Sequence, residues 1–160
     1  MFKSTVVALV TVLGTAVPAS ASPTDLSYAY RYPLALETDL SVEALTAAVT
    51  ADFRRYFPYD SNCPSLPPVS GRCDLYSLAG RTNPVVVIDR TANSWTFLSL
   101  PGHSEGEGRN IVFSFERGNT GVELRARAGG PFTVTAAAKI YSGAAYAIWS
   151  LFANNVSDAY

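Results

Sequence analysis

Histidine occurs once in this 160-residue chain and cysteine twice, and the charges nearly cancel, with 12 Lys+Arg against 13 Asp+Glu. One histidine and two cysteines are too few for a zinc finger, a multi-histidine metal centre or a cysteine-dense mini-protein scaffold, so no metal and no cofactor is expected. Balanced charge excludes a general nucleic-acid binder, whose affinity for phosphates needs clustered Lys and Arg. The chain has no G-x-S-x-G elbow, no G-x-x-x-x-G-K-[ST] phosphate loop, no H-E-x-x-H pair and no EF-hand loop. Ser-His-Asp catalysis stays open, because its members need not be close in sequence. Apolar material is ample: 48% of residues are hydrophobic and 12% aromatic, enough for the core of one domain and too much for a disordered chain.

The first segment reads as an address. Lys3, the apolar stretch Thr5 to Val17 and the small residues Ala19 and Ala21 have the layout of a secretory signal. The stretch is too short to span a bilayer, and Gly14 and Pro18 break it. No second long apolar run follows, so stable membrane insertion is not expected. Residues 1–21 are therefore read as a signal peptide and residues 22–160 as one secreted, extracellular domain.

Export gives the cysteines a meaning. Cys63 and Cys73 close a short stretch rich in Pro, Ser and Gly, their spacing is not C-x-x-C, and no histidine lies nearby. The expected outcome is a disulfide, which stabilises by about 2–3 kcal/mol for a loop of this length.

Periodicity supplies the remaining elements. Tyr28 to Leu36 reads as a strand, and Val42 to Phe57 as a helix capped by Ser41 and stopped by Pro58. Strands are expected at Cys73–Leu78, Pro84–Asp89 and Ser94–Leu100, followed by the hairpin Asn110–Arg117 and Val122–Ala128 around Gly118 to Gly121. In that hairpin Ile111, Phe113 and Phe115 match Val122, Leu124 and Ala126 on one face, with Glu116, Glu123, Arg125 and Arg127 on the other. After Gly129-Gly130-Pro131 comes one long helix, with Val134, Ala138, Tyr141, Ala145, Ile148 and Phe152 in 4-3-4-3-4 spacing beside Trp149. Strand, helix, antiparallel strands and long helix make an α+β two-layer fold. Asn155-Val156-Ser157 is a glycosylation sequon, expected just past that helix.

The segment Leu100 to Asn110 holds the only histidine and three glycines between two apolar strands. His103, Glu105 and Glu107 recur at period two, so an extended backbone would put all three on one face as an acid–base or metal-binding group. Three other readings stand beside this one. The glycines serve as turn residues, or His103 fixes the loop by a local hydrogen bond, or the backbone N–H groups meet an anion.

The run Trp95-Thr96-Phe97, Leu100-Pro101-Gly102-His103, Glu105, Gly106-Glu107 and Val112-Phe113 resembles the signature of uncharacterised protein family 0548. That family has a Thr-Leu-x-Gly-His-Pro-Glu core and a Gly-Glu-Glu continuation. Leu98-Ser99 and Gly108 depart from its pattern. The resemblance implies no established activity and a helix-grip fold of the Bet v 1 and START type. In such a fold a curved antiparallel β-sheet packs on a long C-terminal α-helix, with one short N-terminal helix, and encloses an apolar cavity.

Aromatic residues are either plain core or pocket lining, the candidates for the latter being Trp95, Phe97, Phe113, Tyr141 and Trp149. Three functions follow. One is a secreted domain binding an apolar or aromatic small molecule, favoured by the alanine-rich terminal helix. Another is an extracellular protein-interaction factor (effector, toxin or inhibitor) acting through its surface on a protein partner. The third is a hydrolase or cyclase using His103 with Glu105 or Glu107. Mass spectrometry of the exported protein is expected to find Ser22 at its N-terminus; a chain retaining residues 1–21 would contradict the signal reading.

Overall fold

The structure, a computed structural model, describes residues 25–160. The signal segment lies outside the described residues.

Ser41 has extended backbone, and its hydroxyl accepts the Ala44 N–H at 3.1 Å, which starts α1 (Val42–Ala51). The helix does not continue to Phe57. Asp52 leaves the α region, and a single turn, α2 (Phe53–Tyr56), follows. This break re-aims the chain so that Phe53, Tyr56 and Phe57 are all buried.

Seven strands form one curled antiparallel sheet. They are β1 (Tyr28–Pro33), β2 (Asp60–Ser61), β3 (Arg72–Tyr76), β4 (Thr82–Arg90), β5 (Ser94–Ser99), β6 (Asn110–Gly118) and β7 (Gly121–Gly129). The order is β1-β7-β6-β5-β4-β3-β2, so the first long strand pairs with the last one. Proline is tolerated at the end of β1 because that strand is an edge. The β6–β7 hairpin has the register expected from its sequence, with Phe113 opposite Ala126, Phe115 opposite Leu124, and Gly118 opposite Gly121 at the turn. On its outer face Glu116 stands opposite Glu123. The repulsion is relieved by Arg125, which lies 2.8 Å from Glu116 and 3.5 Å from Glu123.

The terminal helix differs from the expectation. Gly143, at φ +78°, splits it into α3 (Val134–Tyr141) and α4 (Ala144–Ser157). A left-handed residue resets the helical phase, so the predicted stripe does not run through. Val134 and Tyr141 are each 79% exposed, while Ala136 and Ala137 are buried in α3, and Ala145, Trp149, Phe152 and Val156 in α4. Asn155 belongs to α4 rather than to a surface tail. It is half-buried and donates from Nδ2 to the Tyr56 carbonyl at 3.0 Å.

Sheet and α4 enclose an aromatic core. The Phe57 ring centroid lies 5.5 Å from that of Phe113, 5.3 Å from Phe152 and 5.8 Å from Trp149. Trp95, Phe97 and Phe113 are fully buried. The cavity implied by the family resemblance is therefore filled at depth, and the void beside Phe57, Phe97, Phe113 and Trp149 is about 10 Å³.

Cys63 and Cys73 are joined, as expected, and Arg90 steadies their loop by donating to the Leu66 and Pro67 carbonyls at 3.0 and 3.2 Å. Replacing both cysteines by serine is expected to lower the unfolding free energy by about 2–3 kcal/mol, read from urea denaturation. An unchanged midpoint would mean that Arg90 and local packing already restrain the loop.

Candidate functional site

The glycine-rich segment after β5 does not extend. Gly102, Gly106 and Gly108, with φ of +92°, +92° and +78°, wind it into successive turns. Ser99 ties the base of this loop, donating from Oγ to the Gly106 carbonyl at 2.8 Å and accepting the Arg109 N–H at 2.9 Å. Arg109 is fully buried. Its guanidinium donates to three backbone carbonyls, those of Gly130 at 3.1 Å, Pro131 at 2.8 Å and Leu26 at 2.9 Å. A Cβ on Gly130 would come within 2.9 Å of the Arg109 Cα, so this approach requires glycine.

Winding the loop sets Glu107 apart from the other two predicted acid–base residues, while His103 and Glu105 border the same small void. Glu105 turns inward, its side chain 15% exposed, with Oε1 accepting from Lys139 Nζ at 3.0 Å and Oε2 3.9 Å from Arg109 Nε. Lys139 also donates to Ser104 Oγ at 3.1 Å. Thr133 joins loop to helix, donating to the Glu105 carbonyl at 2.8 Å while its Oγ1 caps α3 at the Ala136 N–H. Glu107 is exposed and makes no side-chain hydrogen bond among the described residues.

His103 serves the loop. Its Nδ1 accepts the Glu105 N–H at 3.1 Å, which leaves the ring proton on Nε2. Burial pushes its pKa down to about 4; the Glu105 carboxylate opposes this, and Lys139 and Arg109 add to it. The ring is neutral at pH 7, with one nitrogen already engaged. Among the described residues no three His, Cys, Asp or Glu side chains gather as a metal site.

Beside this loop opens a cleft of about 390 Å³. One wall is the β3–β4 turn, with Leu78 and Arg81, and the other is α3 and α4, with Thr135, Lys139, Ala144, Ala145, Ile148 and Trp149. Tyr59, Ser104 and Glu105 also line it. Leu78 is 88% exposed at the rim. The Trp149 indole donates to Tyr28 Oη at 2.7 Å. Burial, then the Glu105 charge, raise both neighbouring phenols: Tyr59 is pushed up to about 12, and Tyr28 rises well above its ordinary value.

The predicted ligand-binding residues separate into groups. Trp149 lines the cleft, and Phe97 and Phe113 border the small void behind it, together with His103 and Asn83. Trp95 is buried in the core and lines neither space, and Tyr141 is exposed at the end of α3. Tyr59, Arg81 and Leu78 were not anticipated, because only the fold brings these segments to one opening. Lys139 carried a faint signal, as the one lysine after Lys3.

No protein-family model matches the chain. No curated protein matches it either. Solved structures do resemble it. The Aha1 dimer from Colwellia psychrerythraea aligns at TM-score 0.61 and 14% identity, over 84% of this chain and 95% of that one. Protein MLL2253 from Mesorhizobium loti aligns at 0.60 and 15%, over 83% and 95%. Ara h 8.0201 aligns at 0.58 and 7%, over 82% and 97%. At such identities the likeness shows the fold: this is a helix-grip α+β protein of Bet v 1-like architecture.

Two measurements bear on this site. Folding lowers the His103 pKa from 6.5 to about 4, so the unfolded chain binds the proton first. This contribution is fully present above about pH 6.5 and is lost as pH falls towards 4; an NMR titration of the ring is expected to place its midpoint near 4, and a midpoint near 6.5 would refute the assignment. Arg109→Met leaves three carbonyls without their donor and is expected to cost about 3 kcal/mol or more in denaturant unfolding, whereas a loss below about 1 kcal/mol would show that water replaces the guanidinium.

Proposed function

We propose that this is an exported small-molecule binding protein, and that an apolar or aromatic ligand occupies the cleft beside Trp149. The observation that carries this reading is the cleft itself. Its volume of about 390 Å³ lies within the range of about 300–1,000 Å³ usual for small-molecule sites. Leu78, Ala79, Ala144, Ala145, Ile148 and Trp149 give it apolar wall, and Ser104, Glu105 and Lys139 are held in place by mutual hydrogen bonds. The aromatic core is filled, and this cleft is the opening that reaches the core aromatic Trp149. The Bet v 1-like architecture and the resemblance of Leu100 to Glu107 to family 0548 agree with such a role. The signal layout and the Cys63–Cys73 disulfide support a location outside the reducing cytosol.

A second reading has one observation in its favour. Phe132, Val134 and Tyr141 are 49%, 79% and 79% exposed around α3, an apolar surface that would suit an extracellular protein partner. The acid–base reading has less support, since His103 is engaged by the Glu105 N–H and Glu107 stands apart.

Ala144→Trp, at an exposed position on the cleft wall, tests the first reading. Titration of the wild-type protein with the neutral fluorophore N-phenyl-1-naphthylamine is expected to give saturable binding, and a thermal shift equivalent to about 2.7 kcal/mol at 100 Kd. The variant should remain folded and lose at least about tenfold in affinity, or about 1.4 kcal/mol. Equal binding by the two proteins would remove the cleft from consideration.

A further inference from the structure

The charges around the cleft do not balance. The charged side chains lining it are Arg81, Lys139 and Glu105. Glu105 is already answered twice, by Lys139 at 3.0 Å and by the buried Arg109 at 3.9 Å. Lys139 has three donors and uses two, on Glu105 and Ser104. Arg81 is exposed at the rim, and its guanidinium has no carboxylate or carbonyl partner among the described residues. Tyr28 and Tyr59, the phenols next to Glu105, are held in their neutral form and add no negative charge. The opening thus keeps an uncompensated positive charge, and each wall sets hydrocarbon beside a cation, Leu78 with Arg81 on the turn and Ile148 with Lys139 on the helices.

Resting on the reading of this cleft as a ligand site, we propose that its ligand is an anionic amphiphile, a carboxylate or sulfonate head on an apolar or aromatic body. The body lies against Ile148 and the Trp149 indole, with Leu78 folding over it from the rim. The head group accepts from Arg81 and from the third donor of Lys139. Burying hydrocarbon supplies the affinity, and charge-assisted hydrogen bonds to the head set the orientation. A cationic amphiphile of the same length would meet the free guanidinium and be rejected, so selection works by repulsion as well as attraction.

Two fluorophores of one skeleton separate these terms. 8-Anilinonaphthalene-1-sulfonate carries a sulfonate that N-phenyl-1-naphthylamine lacks. The wild-type protein is expected to bind the anionic probe about tenfold more tightly, and rising salt should narrow that gap. In Arg81→Gln, an exposed substitution, the affinity ratio should fall towards one, and Lys139→Gln should act in the same direction. Dodecanoate should displace the anionic probe and dodecyltrimethylammonium should not. Equal binding of the two probes, or a gap that survives both substitutions, would overturn the anionic head while leaving the cleft reading standing. If Ala144→Trp binds both probes as the wild type does, the cleft is not the site, and both proposals fall together.

Discussion

A buried guanidinium is the constraint on which the rest of the site depends. Leaving such a charge unpaired in a protein interior costs several kcal/mol, so Arg109 must find acceptors. It finds three carbonyls, of Leu26, Gly130 and Pro131, on the segments just before β1 and just after β7. One side chain therefore joins the closing edge of the sheet to the loop that precedes β6. The carbonyls carry only partial charge, and Glu105 brings the nearest full countercharge. Glu105 in turn draws Lys139, and Thr133 fixes the start of α3 to the same turn. The floor of the cleft is thus an electrostatic consequence of how the sheet is closed.

The interior and the cleft divide the aromatic residues between two tasks. Phe57, Phe97, Phe113 and Phe152 meet edge to face and fill the space under the sheet, and such pairs add about 0.5–1.5 kcal/mol each beyond the area they bury. Trp149 belongs to both groups. Its ring centroid lies 4.8 Å from that of Phe113, its indole N–H is spent on Tyr28, and the ring also lines the opening. Here the large rings fill the depth, and the alanines at 144 and 145 leave the space at the end of the grip.

Much of the fold was legible because strand and helix periods are local. The β6–β7 register, the Ser41 cap and the disulfide follow from alternation, a hydroxyl at the right offset and two cysteines in a short loop. The break at Gly143 was not legible, since an isolated glycine inside an apolar helical pattern is tolerated at a cost of about 1 kcal/mol. The site was half legible. The sequence marks Leu100 to Arg109 as unusual, but a period-two reading of His103, Glu105 and Glu107 assumes an extended backbone that Gly102, Gly106 and Gly108 abolish. Arg81 and Tyr59 belong to the cleft only through tertiary contact, and no local pattern announces that.

The pairing of β1 with β7 bears on the order in which the molecule is built. Tyr28 faces Ala128, and Arg109 reaches Leu26, so the first edge strand has no hydrogen-bonding neighbour until nearly the whole sheet exists. Strands β3 to β7 pair with sequence neighbours and can accumulate as a meander. The β1–β7 pairing is by contrast a long-range closure, the kind of contact whose loop entropy is lost before its contacts form. Until it happens, the chain has an exposed β7 edge and an unpartnered Arg109. The sheet is therefore complete only when two segments far apart in sequence have met.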